Sequence, residues 1–176
     1  MVKTNPQEIN LNLLDIPTQY ILPIKELNLL PKNKEFTLLD IGAGVRDIKK
    51  HLPKNINYFS LDYNKNIDHD IHLDLDKGSD GEGKIPIKSN SFDIILCLET
   101  LEHLQKPQNT MEEILRISKE DAQIFLSMPN EYNFWLRLQY LFGMKDAMKD
   151  PFNIVDHHLH IHLPRVKDIK RFFKHY

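Results

Sequence analysis

The stretch "FTLLDIGAGVRDIKKHL", residues 36–52, constrains the fold of this chain more than any other. The apolar run Phe36-Thr37-Leu38-Leu39 fits a buried strand, and Asp40 stands where that strand would end. Gly42 and Gly44 follow, then a polar stretch suited to a short helix that Pro53 stops. Glycines at such a turn let the backbone take unusual conformations and approach a ligand closely. A strand, a glycine turn and a helix in this order open many nucleotide-binding folds. The third glycine of the dinucleotide fingerprint is missing, so the ligand has to be read from the rest of the chain.

Strand-like and helix-like segments alternate beyond this point. Residues 57–62 ("NYFSLD"), 70–75 ("DIHLDL"), 91–98 ("SFDIILCL") and 123–129 ("QIFLSMP") read as strands two to five. Residues 108–119 read as a helix with Met111, Ile114, Leu115 and Ile117 on its apolar face. Upstream, Pro17 and Pro23 interrupt the apolar positions between residues 7 and 30, which predicts two short helices or a helix and a turn. This alternation predicts a single α/β domain over residues 1–176 with a mainly parallel sheet. Its parts are an N-terminal helical segment (1–34), a core (35–130), and a loop followed by a C-terminal helix (131–176).

In such sheets the ligand sits in the crevice beyond the carboxyl ends of the strands. Here those ends carry Asp40, Asp62, Asp74, Asp76 and Glu99. A pyrophosphate would be repelled by them unless metal or basic groups offset the charge. A ligand with hydroxyls, an amino group and a positive centre suits them. The formal net charge of −2, from 23 basic and 25 acidic residues, makes no electrostatic case for a general nucleic-acid partner. No apolar run approaches the roughly 18 residues of a membrane span. The N-terminus "MVKTNPQEIN" lacks the apolar stretch of a signal peptide. A cytoplasmic protein with no membrane partner is the expectation.

The ordered set of motifs resembles the class I S-adenosylmethionine-dependent methyltransferases, over roughly residues 35–176. "LLDIGAG" is similar to the family's first motif and "LDYN" to its ribose-binding acidic loop. "LDLDKG…IPIKSNSFDIILCLETLEHL" and "IFLSMPNEYNFWLRLQYLFG" resemble the stretch from the adenine-binding acid to strand four, and strand five with its loop. The resemblance implies a Rossmann-like sheet and S-adenosylmethionine as cofactor. It assigns Gly42, Ala43 and Gly44 to the methionine part, with Asp40 near the amino end. Asp62 would take the ribose hydroxyls, Tyr63 would pack on the adenine, and Asp74 with Leu75 would meet the adenine amino group. Cys97 completes the cofactor-side set. The family's first motif carries a further glycine where this chain has Arg46.

"CLETLEHL" brings Glu99, Glu102 and His103 close together in sequence. The cluster resembles a metal motif of the quinone-biosynthesis O-methyltransferases and the small-RNA 3′-terminal ribose methyltransferases. That likeness implies a divalent ion (Mg, Mn or Zn) on Glu99, Glu102, His103 and His160, with His158 as second choice for the last. The same residues suit metal-free catalysis, with His103 as general base and Glu99 beside it. The leading expectation is methyl transfer to a hydroxyl of a small molecule. An RNA ribose 2′-O-methyltransferase and a non-catalytic MetW-like regulatory module are the alternatives. Trp135, Leu138, Tyr140, Leu141 and Phe142 are a candidate lid or ordinary packing. Only five strands can be counted where the family has seven. The absent pair would leave strand five an open edge, to be paired in a homodimer or covered by residues 131–162.

Overall fold

The computed structural model describes residues 16–129, 138, 141, 142, 162 and 165–176. Its elements in order are α1 (Thr18–Asn28), β1 (Phe36–Ile41), a 3₁₀ turn (Asp47–His51), β2 (Ile56–Asp62) and β3 (Ile71–His72). Then come β4 (Phe92–Leu98), a second 3₁₀ turn (Leu101–His103), α2 (Pro107–Ile117), β5 (Ser118–Ser127) and α3 (Val166–Phe173). The strands form one sheet in the order β3-β2-β1-β4-β5, and every pair is parallel. The chain goes from β1 to one side for β2 and β3, then to the other side for β4 and β5. That reversal opens a crevice above β1 and β4 at their carboxyl ends. Among the described residues these five are all the strands, as counted from the sequence. Of "HLHIH", a candidate sixth, only His162 is among the described residues.

Side-chain alternation splits the core in two. Leu39, Ile41, Leu61, Ile95 and Cys97 face Met111, Ile114 and Ile117 of α2. Leu38, Ile94 and Leu96 face Ile24 and Leu27 of α1. β4 is apolar on both sides because it is covered on both sides. Phe172, Phe173 and Tyr176, in and just after α3, pack against the α2-side core together with Ile124, Leu126 and Met128. Among the described residues no helix is long and apolar enough to cross a membrane.

Several boundaries differ from the sequence reading, among them that of β5, which starts at Ser118 rather than at 123. Pro23 does not interrupt α1, which starts directly after Pro17 and runs through to Asn28. An interior proline costs about 3 kcal/mol. Complete burial of Ile24 and Leu27 returns roughly 1.5–3 kcal/mol each, which offsets it. The segment after the glycine turn is a short 3₁₀ turn rather than an α-helix. Strand three shrinks to Ile71–His72. Asp70 meets β2 through side chains rather than the strand ladder: its carboxylate accepts from Ser60 N–H and Ser60 O–H, both at 2.8 Å, and its N–H donates to Ser60 Oγ at 3.2 Å. β2 itself ends at Asp62, so pairing has only Leu61 and Asp62 to use.

The amino-terminal edge of the sheet is locked by Asp93. Its Oδ2 accepts from Thr37 N–H at 2.9 Å and Thr37 O–H at 2.7 Å, and its Oδ1 lies 2.9 Å from Lys119 Nζ. Burial raises this carboxyl, but the Thr37 and Lys119 partners outweigh it and hold it at about 2. The folded value lies below the unfolded one, so the lock stabilises the protein fully above about pH 4 and is lost as pH falls toward 2. Asp93→Ala is expected to cost about 2 kcal/mol in denaturant unfolding at pH 7. The difference from the parent protein should narrow steadily in the same measurement between pH 4 and pH 2.

Candidate functional site

The glycine turn is tied to the end of β2. Gly42 N–H and Ala43 N–H both donate to Leu61 O, at 2.8 and 3.2 Å. Gly44 N–H donates to Asp62 Oδ2 at 2.9 Å. Gly42 has φ +73°, and a Cβ there would lie 2.2 Å from Thr100 Oγ1. Thr100 cannot retreat easily, because its hydroxyl is shared between Leu98 O at 3.0 Å and Ile41 O at 3.3 Å. Gly42 therefore admits no side chain, which leaves bare backbone at the mouth of the crevice. Arg46, where the resemblance implies a glycine, keeps the left-handed conformation at φ 59°. The tight turn, closed by Arg46 N–H on Ala43 O at 2.8 Å, holds it there against a strain of roughly 1–2 kcal/mol.

A cavity of about 440 Å³ opens over the carboxyl ends of β2, β1 and β4 and the loop after β3. On the β2–β3 side it is walled by Asp62, Tyr63, Asp74 and Leu75, and on the β4 side by Glu99, Thr100 and His103, with Gly42 between. Asp62 is almost wholly buried, and its Oδ1 accepts from Asn64 N–H at 2.8 Å. Each of its oxygens retains a second lone pair for a ligand. The Tyr63 ring is exposed. Asp74 accepts from Asp76 N–H at 3.1 Å and pairs with Lys77 Nζ at 3.1 Å. Asp76 accepts from Gln105 N–H at 2.8 Å and so ties this wall to the loop behind His103.

Four residues expected to hold the cofactor do not line the cavity, Gly44 among them, whose N–H is turned to Asp62. Ala43 is buried beneath the turn. Cys97 lies wholly inside the core, paired in register with Ile41 and Leu126, and burial pushes its thiol far up. Asp40 is 3% exposed, and its Oδ2 accepts from Tyr58 O–H at 2.8 Å on the α1 side of the sheet.

Glu99 and His103 share the β4 wall of the cavity. The Glu99 carboxylate accepts from Ser127 O–H at 2.7 Å. Glu102 is fully buried, with Oε1 3.8 Å from His103 Nε2, too long for a hydrogen bond. Among the described residues no group of three or more His, Cys, Asp or Glu side chains is placed to hold a metal ion. The divalent-ion expectation thus finds no support there, and His158 and His160 lie outside the described residues. A different histidine reaches this turn: His162 N–H donates to Glu102 O at 3.0 Å, and His162 Nε2 lies 2.8 Å from Leu104 O. Sequence reading missed Thr100, Ser127 and His162. The only signal was their place at the ends of β4 and β5 and within a histidine-rich run.

A doubly wound parallel sheet with a glycine turn after β1 and acids at successive strand ends is the Rossmann-like core of class I methyltransferases. The profile of a family described as "Methyltransferase domain" matches residues 16–176, and the chain belongs to that family. The uncharacterized protein MJ0638 of Methanocaldococcus jannaschii is 29% identical over 146 residues, covering 76% of this chain and 64% of that protein. A Bacillus halodurans protein (BH2331), solved as a methyltransferase candidate, superposes with TM-score 0.60 at 14% identity, over 88% of this chain and 66% of its own. A SAM-dependent methyltransferase of Thermotoga maritima (TM1293) superposes with TM-score 0.57 at 15% identity, over 88% and 69%. At these identities the two structures speak for the fold.

Asp40 gives the site a pH signature. Burial, opposed by the Tyr58 hydrogen bond and assisted by Asp62, raises its carboxyl to about 6. The folded value lies above the unfolded one, so this group favours the native state below about pH 4 and loses that contribution as pH rises through 6. Asp40→Asn keeps an acceptor for Tyr58 without the buried charge. The variant is expected to gain about 2–3 kcal/mol relative to the parent protein between pH 4 and pH 8, read from unfolding midpoints at both.

Proposed function

We propose that this chain uses S-adenosylmethionine to methylate a hydroxyl of a small molecule, with His103 as general base. One observation carries the reading: a single cavity joins the glycine turn and the strand-end carboxylates to an imidazole on its far wall. The residues fit the cofactor. Gly42 offers backbone that no side chain can obstruct. Asp62 has lone pairs for two ribose hydroxyls, Tyr63 an exposed ring for the adenine, and Asp74 a carboxylate for its amino group. When bound, the cofactor supplies a methyl group on a cationic sulfur that leaves as a neutral thioether. His103 accepts the acceptor's hydroxyl proton as the oxygen lone pair takes the methyl carbon. The buried Glu102 carboxylate steadies the imidazolium so formed, and Glu99 adds negative charge beside it.

Asp62→Ala is expected to weaken S-adenosylmethionine binding by roughly 1.5–3 kcal/mol in calorimetry, through loss of a charged acceptor. Unchanged affinity would remove Asp62 from the cofactor site. His103→Gln should lower turnover at least 100-fold, in line with the usual worth of a positioned base, and leave cofactor affinity within about twofold. Labelled cofactor incubated with cell extract identifies the acceptor for this assay. A variant with full turnover would assign proton removal to another group.

A further inference from the structure

Glu99 is the first residue past β4 and stands in the left-handed region at φ 50°. That conformation is strained for any residue with a Cβ, and sites that retain it in spite of the strain are often functional. Ser127, the last residue of β5, holds Glu99 there. The two strands pair in register up to Leu98 and Ser127. Ser127 O–H donates to Glu99 Oε1 at 2.7 Å, and the same hydroxyl oxygen accepts from Glu99 N–H at 3.2 Å. The Glu99 N–H also reaches Ser127 O at 3.1 Å. This ring of contacts fixes backbone and carboxylate together. Ser127 is the carboxylate's hydrogen-bond partner among the described residues, so Oε2 is left for a ligand.

The placement of this charge matters for what the cavity holds. On the cofactor reading above, adenosine lies against Asp62, Tyr63 and Asp74, and the amino-acid part runs along the Gly42–Gly44 turn. The sulfur joins the two parts beside Gly42, which abuts Thr100, and the same cavity wall carries Glu99 next to Thr100 at the end of β4. S-adenosylmethionine and its product S-adenosylhomocysteine differ only there, in a methyl group and a positive charge. We infer that the Glu99 carboxylate, held by Ser127, is the fixed negative charge through which this site prefers the cationic cofactor to its neutral product. Ser127 is a positioning residue in this arrangement. Unit charges about 6 Å apart at an effective dielectric constant of about 40 change an equilibrium about tenfold.

The inference rests on the cofactor reading and is tested by calorimetry with two defined ligands, S-adenosylmethionine and S-adenosylhomocysteine. Glu99→Gln keeps shape and hydrogen bonding but removes the charge. It should weaken cofactor binding about tenfold, leave product binding within twofold, and so collapse the ratio of the two constants. Ser127→Ala should move the ratio in the same direction by about threefold, and Ser127→Thr, which keeps the hydroxyl, should restore it. A merely structural role for Ser127 would weaken both ligands alike. Equal weakening of both ligands in Glu99→Gln, or an unchanged ratio, would overturn the inference while leaving the cofactor reading intact. Binding of neither ligand by the parent protein would overturn the cofactor reading and this inference with it.

Discussion

The hydrogen bond from Gly44 N–H to the Asp62 carboxylate is the constraint on which the site depends. With the two N–H bonds from Gly42 and Ala43 to Leu61 O, it folds the turn after β1 down onto the end of β2. The cavity exists because this turn is pulled aside rather than running over the ends of β1 and β4. It also places a backbone segment that cannot bear a side chain next to a carboxylate that faces both turn and cavity. Asp62 is thus a structural tie that, on the proposed reading, also serves a ligand, since each oxygen gives one lone pair to the protein and keeps another.

Stability and strain are divided between the two edges of the sheet. At the amino-terminal edge Asp93 joins Thr37 and Lys119. Arg116 holds the loop before β4 by donating to Ile85 O and Ile87 O at 3.0 and 2.8 Å, while Glu113 accepts from Ile85 N–H at 2.7 Å. These are charge-assisted bonds that satisfy buried or half-buried backbone, the kind worth most to a fold. At the carboxyl edge the same sheet carries a buried acid in Asp40, left-handed backbone at Arg46 and Glu99, and a glycine pressed against Thr100. Each costs stability; Gly42, Thr100 and Glu99 face the crevice, while Asp40 is turned to Tyr58 on the α1 side of the sheet. Such a division is expected where a site is built on a rigid scaffold.

The β4 wall is held from three directions. Ser127 at the end of β5 fixes Glu99, and Asp76 in the loop after β3 accepts from the Gln105 and Lys106 N–H groups. His162 meets the 3₁₀ turn at its middle, through Glu102 O, and just past its end, through Leu104 O. The turn that carries Glu102 and His103 therefore answers to segments remote in sequence, from 76 to 162. His162 already gives its Nε2 to the Leu104 carbonyl, and its part here is to hold the turn.

The sheet was legible in the sequence because its strands are continuous apolar runs ending in acids. That pattern is local, and it identified β1, β2, β4 and α2 with small errors at their ends, whereas β5 starts at Ser118, five residues before the apolar run that marked it. The glycine turn was legible for the same reason: conformational freedom is a property of the residue itself. Other features depended on partners supplied from elsewhere in the fold. Pro23 stays inside α1 because the sheet buries Ile24 and Leu27, and β3 is short because Asp70 meets Ser60 through side chains and β2 ends at Asp62. Asp40, expected beside the ligand, faces Tyr58 instead, since strand alternation puts it on the α1 side with Leu38. Glu99, Glu102 and His103 are close in sequence, yet the turn sends Glu99 to Ser127 and buries Glu102. Residue type and spacing determined which groups stand at the strand ends. Only the tertiary structure decided which of them face the cavity, because that depends on hydrogen-bond partners tens of residues away.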